Sequence, residues 1–113
     1  MSNIKYRQYN KENRQWHYWG CIDGQWVNPL QQDNYQLPEY SQRFTGLTDR
    51  NNKEIYEGDY IRMEDGVICV VSWLDDGFVL MGDGYNGEPL YPQTRNGVWG
   101  EVVGNEYENP VTL

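Results

Sequence analysis

The sequence predicts a mostly β fold, a small barrel or sandwich built behind an N-terminal β-hairpin. Three observations predict it. Short runs alternate apolar and polar residues with the period of two that places successive side chains on opposite faces of a strand. Those runs are separated by Asp-Gly, Asn-Gly and Asn-rich corners at close spacing, the punctuation of an all-β domain. No apolar stripe at helical spacing extends beyond a turn or two, and no internal repeat is present.

Ile4 to Tyr9 alternates, with Ile4 and Tyr6 on one face and Lys5 and Arg7 on the other. Asn10-Lys11-Glu12-Asn13 reads as a turn, and Arg14 to Trp19 alternates again, setting Trp16 and Tyr18 opposite His17 and Trp19. Gly20, Asp23-Gly24 and Asn28-Pro29 break the next stretch, leaving the short extended piece Gln25-Trp26-Val27. Leu30 to Ser41 is polar and reads as a loop or a frayed helical turn between an N-terminal layer, residues 1–40, and the rest of a single domain, residues 41–113.

Strands are then predicted at Arg43 to Leu47, Glu54 to Tyr56 and Tyr60 to Met63, with a sharp corner at Glu57-Gly58-Asp59. Val67 to Trp73 is apolar on both faces and rich in β-branched residues, so it reads as central and buried. After the Asp76-Gly77 turn comes Phe78 to Met81, then a Gly-rich loop from Gly82 to Glu88. Leu90-Tyr91 precedes Pro92, Asn96-Gly97 forms a further turn, Val98 to Tyr107 completes the sheet, and Asn109-Pro110 ends it.

With 113 residues the chain can bury one core and is too short for two ordinary domains. Aromatic residues make up 15%, including ten Tyr and five Trp, which argues against disorder. The net charge is −8, a sign that disfavours nucleic acid and anionic lipid as partners. Charge is also unevenly placed. Up to Lys53 there are seven cations against five anions; from Glu54 onward there are two against twelve. Such polarity suits contact between the two parts of the fold or between copies, and predicts a homo-oligomer. Cys21 and Cys69 are far apart with no CxxC spacing, which predicts a reduced protein with two small buried thiols. The opening MSNIKYRQYN has no apolar run, and no segment reaches membrane-spanning length. A cytoplasmic location is expected.

Three segments resemble the YopX family of phage and prophage proteins. They are Ile4-Lys5-Tyr6-Arg7-Gln8-Tyr9; Phe44-Thr45-Gly46-Leu47-Thr48-Asp49 running on through Lys53-Glu54-Ile55-Tyr56-Glu57-Gly58-Asp59; and Val103-Gly104-Asn105-Glu106-Tyr107-Glu108-Asn109-Pro110. Two positions depart from the family pattern. Asn52 stands where Gly is usual, a replacement that preserves access to positive φ, and Glu106 stands where an apolar residue is usual. The resemblance implies an SH3-like barrel for residues 41–113 and a phage or prophage origin. It implies no catalytic residue and no cofactor.

The single histidine, His17, has no positioned partner in the sequence, and one His with two distant Cys does not make a zinc cage. Asp75, Asp76, Asp83 and Glu88 surround Gly-rich turns without the spacing of a calcium loop. The segment with Gly82, Gly84 and Gly87 carries carboxylates and no Lys, which repels phosphate. Two features remain. The first is the strip of Tyr6, Tyr9, Trp16, Tyr18, Trp19 and Trp26 interleaved with Lys5, Arg7, Lys11 and Arg14. It can serve as core, as interface anchors or as a stacking platform for nucleobases. The second is the acidic array from Glu54 to Glu108. The expected function is non-enzymatic binding of a bacterial or phage protein partner. Asp75, Asp76, Asp83 and Glu88 are its acidic contacts and Trp19 and Trp26 its anchors. The target class that the acidic half suggests is a host nucleic-acid-handling or defence enzyme. The alternative is nucleic-acid binding by the N-terminal strip.

Overall fold

The structure, a computed structural model, describes residues 4–32, 34–75, 77–90 and 100–108. It is mostly β, in two antiparallel sheets, as the alternation predicts. Its one helical element among the described residues is the 3-10 turn Pro38–Tyr40, inside the polar segment read as a loop or frayed turn. The chain divides into two compact units, Met1–Phe44 and Thr45–Leu113.

The first unit holds β1 (Lys5–Asn10), β2 (Gln15–Ile22), β3 (Gln25–Val27) and the start of β4 (Gln42–Thr48), in the order β3-β2-β1-β4. The predicted hairpin is formed by β1 and β2, with Tyr6 opposite Trp19 and Tyr9 opposite Trp16. Its turn closes because the Asn10 Oδ1 accepts from the Glu12 and Asn13 backbone N–H groups at 2.9 and 3.1 Å, the local side-chain bond that makes Asn a turn former. β2 runs through Gly20 to Ile22, farther than the sequence suggested, and pairs with the three-residue β3. Gln8 is fully buried. Its amide donates to the Leu30 and Gln36 carbonyls and accepts from the Leu30 N–H, all at 2.8 Å, tying the polar loop to β1.

The second unit continues β4 into β5 (Glu54–Tyr56). It also contains β6 (Asp59–Met63), β7 (Ile68–Leu74), β8 (Gly77–Gly82), β9 (Tyr85–Pro89) and β10 (Gly100–Asn105), ordered β10-β6-β7-β8-β9. Barrel closure is not among the described pairings. The core consists of Ile55, Ile61, Met63, Cys69, Val71 and Leu80, with Leu47, Phe78 and Val102 packed against it. Ile61 pairs with Cys69 and Val71 with Leu80, so these residues share one sheet face, as period-two strands require.

Several expectations need correction. β7 is central, but only Cys69 and Val71 are buried; Ile68 and Val70 are half-buried, and Trp73 and Leu74 are exposed. Being apolar on both faces did not make both faces buried. The segment read as a Gly-rich loop is a hairpin: Asp83 and Gly84 turn the chain and β9 pairs with β8. Only one of the thiols is buried, Cys69; Cys21, paired with Trp26 of the three-residue β3, is exposed. The Asn96-Gly97 turn, the start of the strand expected from Val98 and the Asn109-Pro110 terminator lie outside the described residues.

Candidate interaction surfaces

The residues that carry the family resemblance serve the fold itself. Asp49 is buried and its carboxylate accepts three backbone N–H bonds: from Asn51 at 2.8 Å, Lys53 at 2.9 Å and Val102 at 2.8 Å. One side chain therefore shapes the β4–β5 turn and holds β10 to it. Asn52, in that turn, sits at φ 65°, the left-handed conformation that Asn tolerates. In the Glu57-Gly58-Asp59 corner Gly58 adopts φ 88°, which favours glycine. Asp59, also buried, accepts from the Tyr56 N–H at 2.8 Å and from Asn105 Nδ2 at 2.8 Å. The Asn105 Oδ1 in turn accepts from the Tyr107 N–H at 2.9 Å. Buried polar groups need such partners, and here the partners are the chain reversals themselves.

Glu106 lies just past β10 and is exposed, so the fold asks no inward apolar contact of it. Partial burial of its carboxyl, with Glu57 and Asp59 nearby, pushes its pKa above the ordinary glutamate value.

The predicted acidic contacts do not form one cluster. Asp75 lies in the β7–β8 turn, whereas Asp83 lies in the β8–β9 turn. Successive antiparallel hairpins place these two turns at opposite ends of the sheet. The Asp83 end also carries the β6–β7 turn with Asp65, whose Oδ2 accepts from the Tyr85 hydroxyl at 3.1 Å. Glu88 is on β9, opposite Leu80, and accepts from the Asn86 N–H at 2.6 Å. Asp76 is outside the described residues.

The division of charge follows the two units. The first has five cations against four anions and the second four against thirteen. Arg62 and Arg50 both pair with Glu101 Oε1, at 2.9 and 3.6 Å. The Arg62 hydrogen bond, with the charges of Arg62 and Arg50 beside it, lowers the Glu101 pKa.

Trp19 and Trp26, the predicted anchors, are brought together. Their rings meet edge-on at 6.3 Å, and Trp19 stacks on Tyr6 at 4.3 Å. Trp19 is half-buried, held by Nε1 donation to Ser41 Oγ at 2.8 Å, while Trp26 is 62% exposed. The other face of this sheet stacks cations on rings: Arg7 over Trp16 at 4.0 Å and Lys5 over Phe44 at 4.6 Å. These two cations of the strip are thus engaged within their own sheet. His17 hydrogen-bonds the Asn28 carbonyl through Nε2 at 2.8 Å.

Sequence reasoning passed over Trp73 and Leu74, which lie exposed immediately before Asp75. Trp73 meets Phe78 edge-on at 4.7 Å. Large apolar residues at the end of a strand, directly before an acidic turn, were the available signal.

Among the described residues no helix is long and apolar enough to cross a membrane, and no group of His, Cys, Asp or Glu is arranged to hold a metal ion. A family model described as YopX protein matches residues 5–113. No curated protein matches the chain.

Proposed function

The chain belongs to the YopX family, and from that membership we propose that it is a phage or prophage accessory protein that works by non-enzymatic binding of a protein partner in the bacterial cytoplasm. The division of charge carries this reading: the second unit has four cations against thirteen anions, and two of those cations, Arg50 and Arg62, pair with Glu101. Carboxylates at exposed turns then present a field that attracts a basic surface and speeds encounter with it. A basic nucleic-acid-binding groove of a host enzyme has the complementary chemistry. Trp73 and Leu74 beside Asp75 supply apolar anchoring next to charge, the combination that concentrates binding energy at an interface. The exposed Trp26 beside Trp19 is the corresponding anchor of the first unit.

The test is affinity capture from host lysate with the wild-type chain, Asp75→Asn with Asp83→Asn, and Trp73→Ala. A partner whose retention falls with salt and with these substitutions supports the reading. Finding no salt-sensitive partner, or one indifferent to all three substitutions, removes it. Nucleic-acid binding through the first unit is tested beside it by gel shift of labelled single-stranded DNA and RNA at low salt. No shift is expected, because Lys5 and Arg7 lie over rings of their own sheet. Self-association belongs to the same proposal on a smaller electrostatic basis, the first unit's excess being five cations over four anions. Sedimentation velocity at low and high salt measures it, and monomer throughout rules it out.

A further inference from the structure

We propose that β3 is a pairing edge for a second copy of this chain, the two copies joining their sheets antiparallel about Trp26. The backbone directions follow from the hairpin that makes β3. Asp23 and Gly24, at φ of 50° and 82°, form a two-residue reversal between Ile22 and Gln25, the tight turn whose flanking residues exchange both backbone hydrogen bonds. Antiparallel pairs alternate, so Gly20 and Val27 also exchange bonds and the pair between, Cys21 and Trp26, does not. Cys21 gives the same answer independently: its N–H donates to the Ile4 carbonyl at 2.7 Å, on the side away from β3. The Trp26 N–H and carbonyl therefore point away from β2. Among the described residues no strand lies beyond β3 in that sheet.

Three features fit this edge to a copy of itself. A single outward-facing residue is what a two-fold axis requires: Trp26 set opposite its own counterpart makes two backbone hydrogen bonds, each N–H donating to the other carbonyl. Residues directly opposite share a sheet face, so the aromatic row of Tyr6, Trp19 and Trp26, with rings at 4.3 and 6.3 Å, continues into the same row of the second copy. The Trp26 ring is 62% exposed yet already oriented, its Nε1 donating to Asn28 Oδ1 at 2.9 Å, so pairing orders little that is free. Finally, β3 carries neither a charge nor a proline, the usual guards of an edge. It lies in the unit with five cations against four anions, where two copies repel each other least. A contact this small is transient and forms at high concentration. It gives the self-association named above a surface and a different physical basis: a charge-driven contact weakens with salt, and this one does not.

The experiment follows amide exchange of the full chain by NMR at about 20 μM and about 1 mM, the range in which a weak contact forms, in low and in high salt. Protection of the Trp26 amide is expected to rise severalfold with concentration at both salts. The Gln25 and Val27 amides, bonded to β2, should stay protected throughout. Trp26→Pro removes the outward N–H, a replacement that an edge strand accepts when that N–H faces solvent. It is expected to leave the chain monomeric with the amides of β1 and β2 unchanged. Trp26→Thr, which keeps the N–H and loses the ring, should weaken the pairing severalfold. Trp26 protection that is independent of concentration, or that vanishes in high salt, overturns the proposal. So does protection that appears only when another protein is added, which would make β3 an edge for a foreign strand. Capture of a host partner is a separate readout, so the failure of either proposal is seen without the other.

Discussion

Asn105 donates from Nδ2 to Asp59 Oδ1 at 2.8 Å, and both side chains are almost fully withdrawn from solvent, at 1% and 2% exposure. The two residues are cross-strand partners, 46 positions apart in the chain. A buried carboxylate is tolerated only when its lone pairs are met, and here the Tyr56 N–H supplies the second partner.

Asn105→Ala removes a donor from that carboxylate and an acceptor from the Tyr107 N–H. Leaving a buried charge short of a partner costs about 2–3 kcal/mol. Urea denaturation is expected to show a lower midpoint at unchanged slope. Asn105→Asp should be worse than alanine, because it sets a second carboxylate against Asp59.

Asp49→Ala strips the acceptor from three backbone N–H groups at once. The expected loss is about 2–4 kcal/mol, with Asp49→Asn milder since it keeps one acceptor oxygen. Hydrogen exchange at Val102 should accelerate relative to the amides of β7. A variant as stable as the wild type would show that the turn holds without its side-chain clasp.

The two shifted glutamates act on stability with opposite sign. The folded pKa of Glu106 is raised, by burial first and then by Glu57 and Asp59. Its favourable contribution is therefore full below the ordinary unfolded glutamate value and is lost as pH rises through the folded value. Glu106→Gln is expected to stabilise the protein at neutral pH, with the gain vanishing in acid. Glu101, lowered chiefly by its hydrogen bond to Arg62, contributes above the ordinary value and loses that contribution as pH falls through its lowered one. Glu101→Gln should therefore destabilise slightly at neutral pH and not at all in strong acid. Thermal melts of the two variants across pH check both signs.

The thiols should separate kinetically. Burial, with Asp65 and Glu88 nearby, pushes Cys69 up to about 11, leaving almost no thiolate at neutral pH. Cys21 is exposed. Ellman's reagent is expected to modify Cys21 promptly in the native protein and Cys69 only on unfolding; equal rates would contradict the burial of Cys69.

Much of the strand pattern was legible because it is written locally. The alternation of Ile4, Tyr6, Lys5 and Arg7, and of Trp16, Tyr18, His17 and Trp19, placed those side chains on the faces where the structure has them. The β9 hairpin was missed because Gly82, Gly84 and Gly87 read together as a loop, although the structure has a turn at Gly84 and a bulge at Gly87. The candidate surface was only partly legible. Asp75 and Asp83 are near in sequence, yet the β7-β8-β9 ladder sends their turns to opposite ends. Trp73 looked like core and is exposed.

By itself the sequence determined the family, the strand-and-turn character and the charge division, since each is carried by residue identity and near-neighbour spacing. Only the tertiary structure decided which polar residues are clasps and which are surface. Asp49 meets Val102, and Asp59 meets Asn105, across separations of 53 and 46 residues. Whether a carboxylate is buried against a backbone donor or open to water depends on what the folded chain returns to its side, and no local pattern records that.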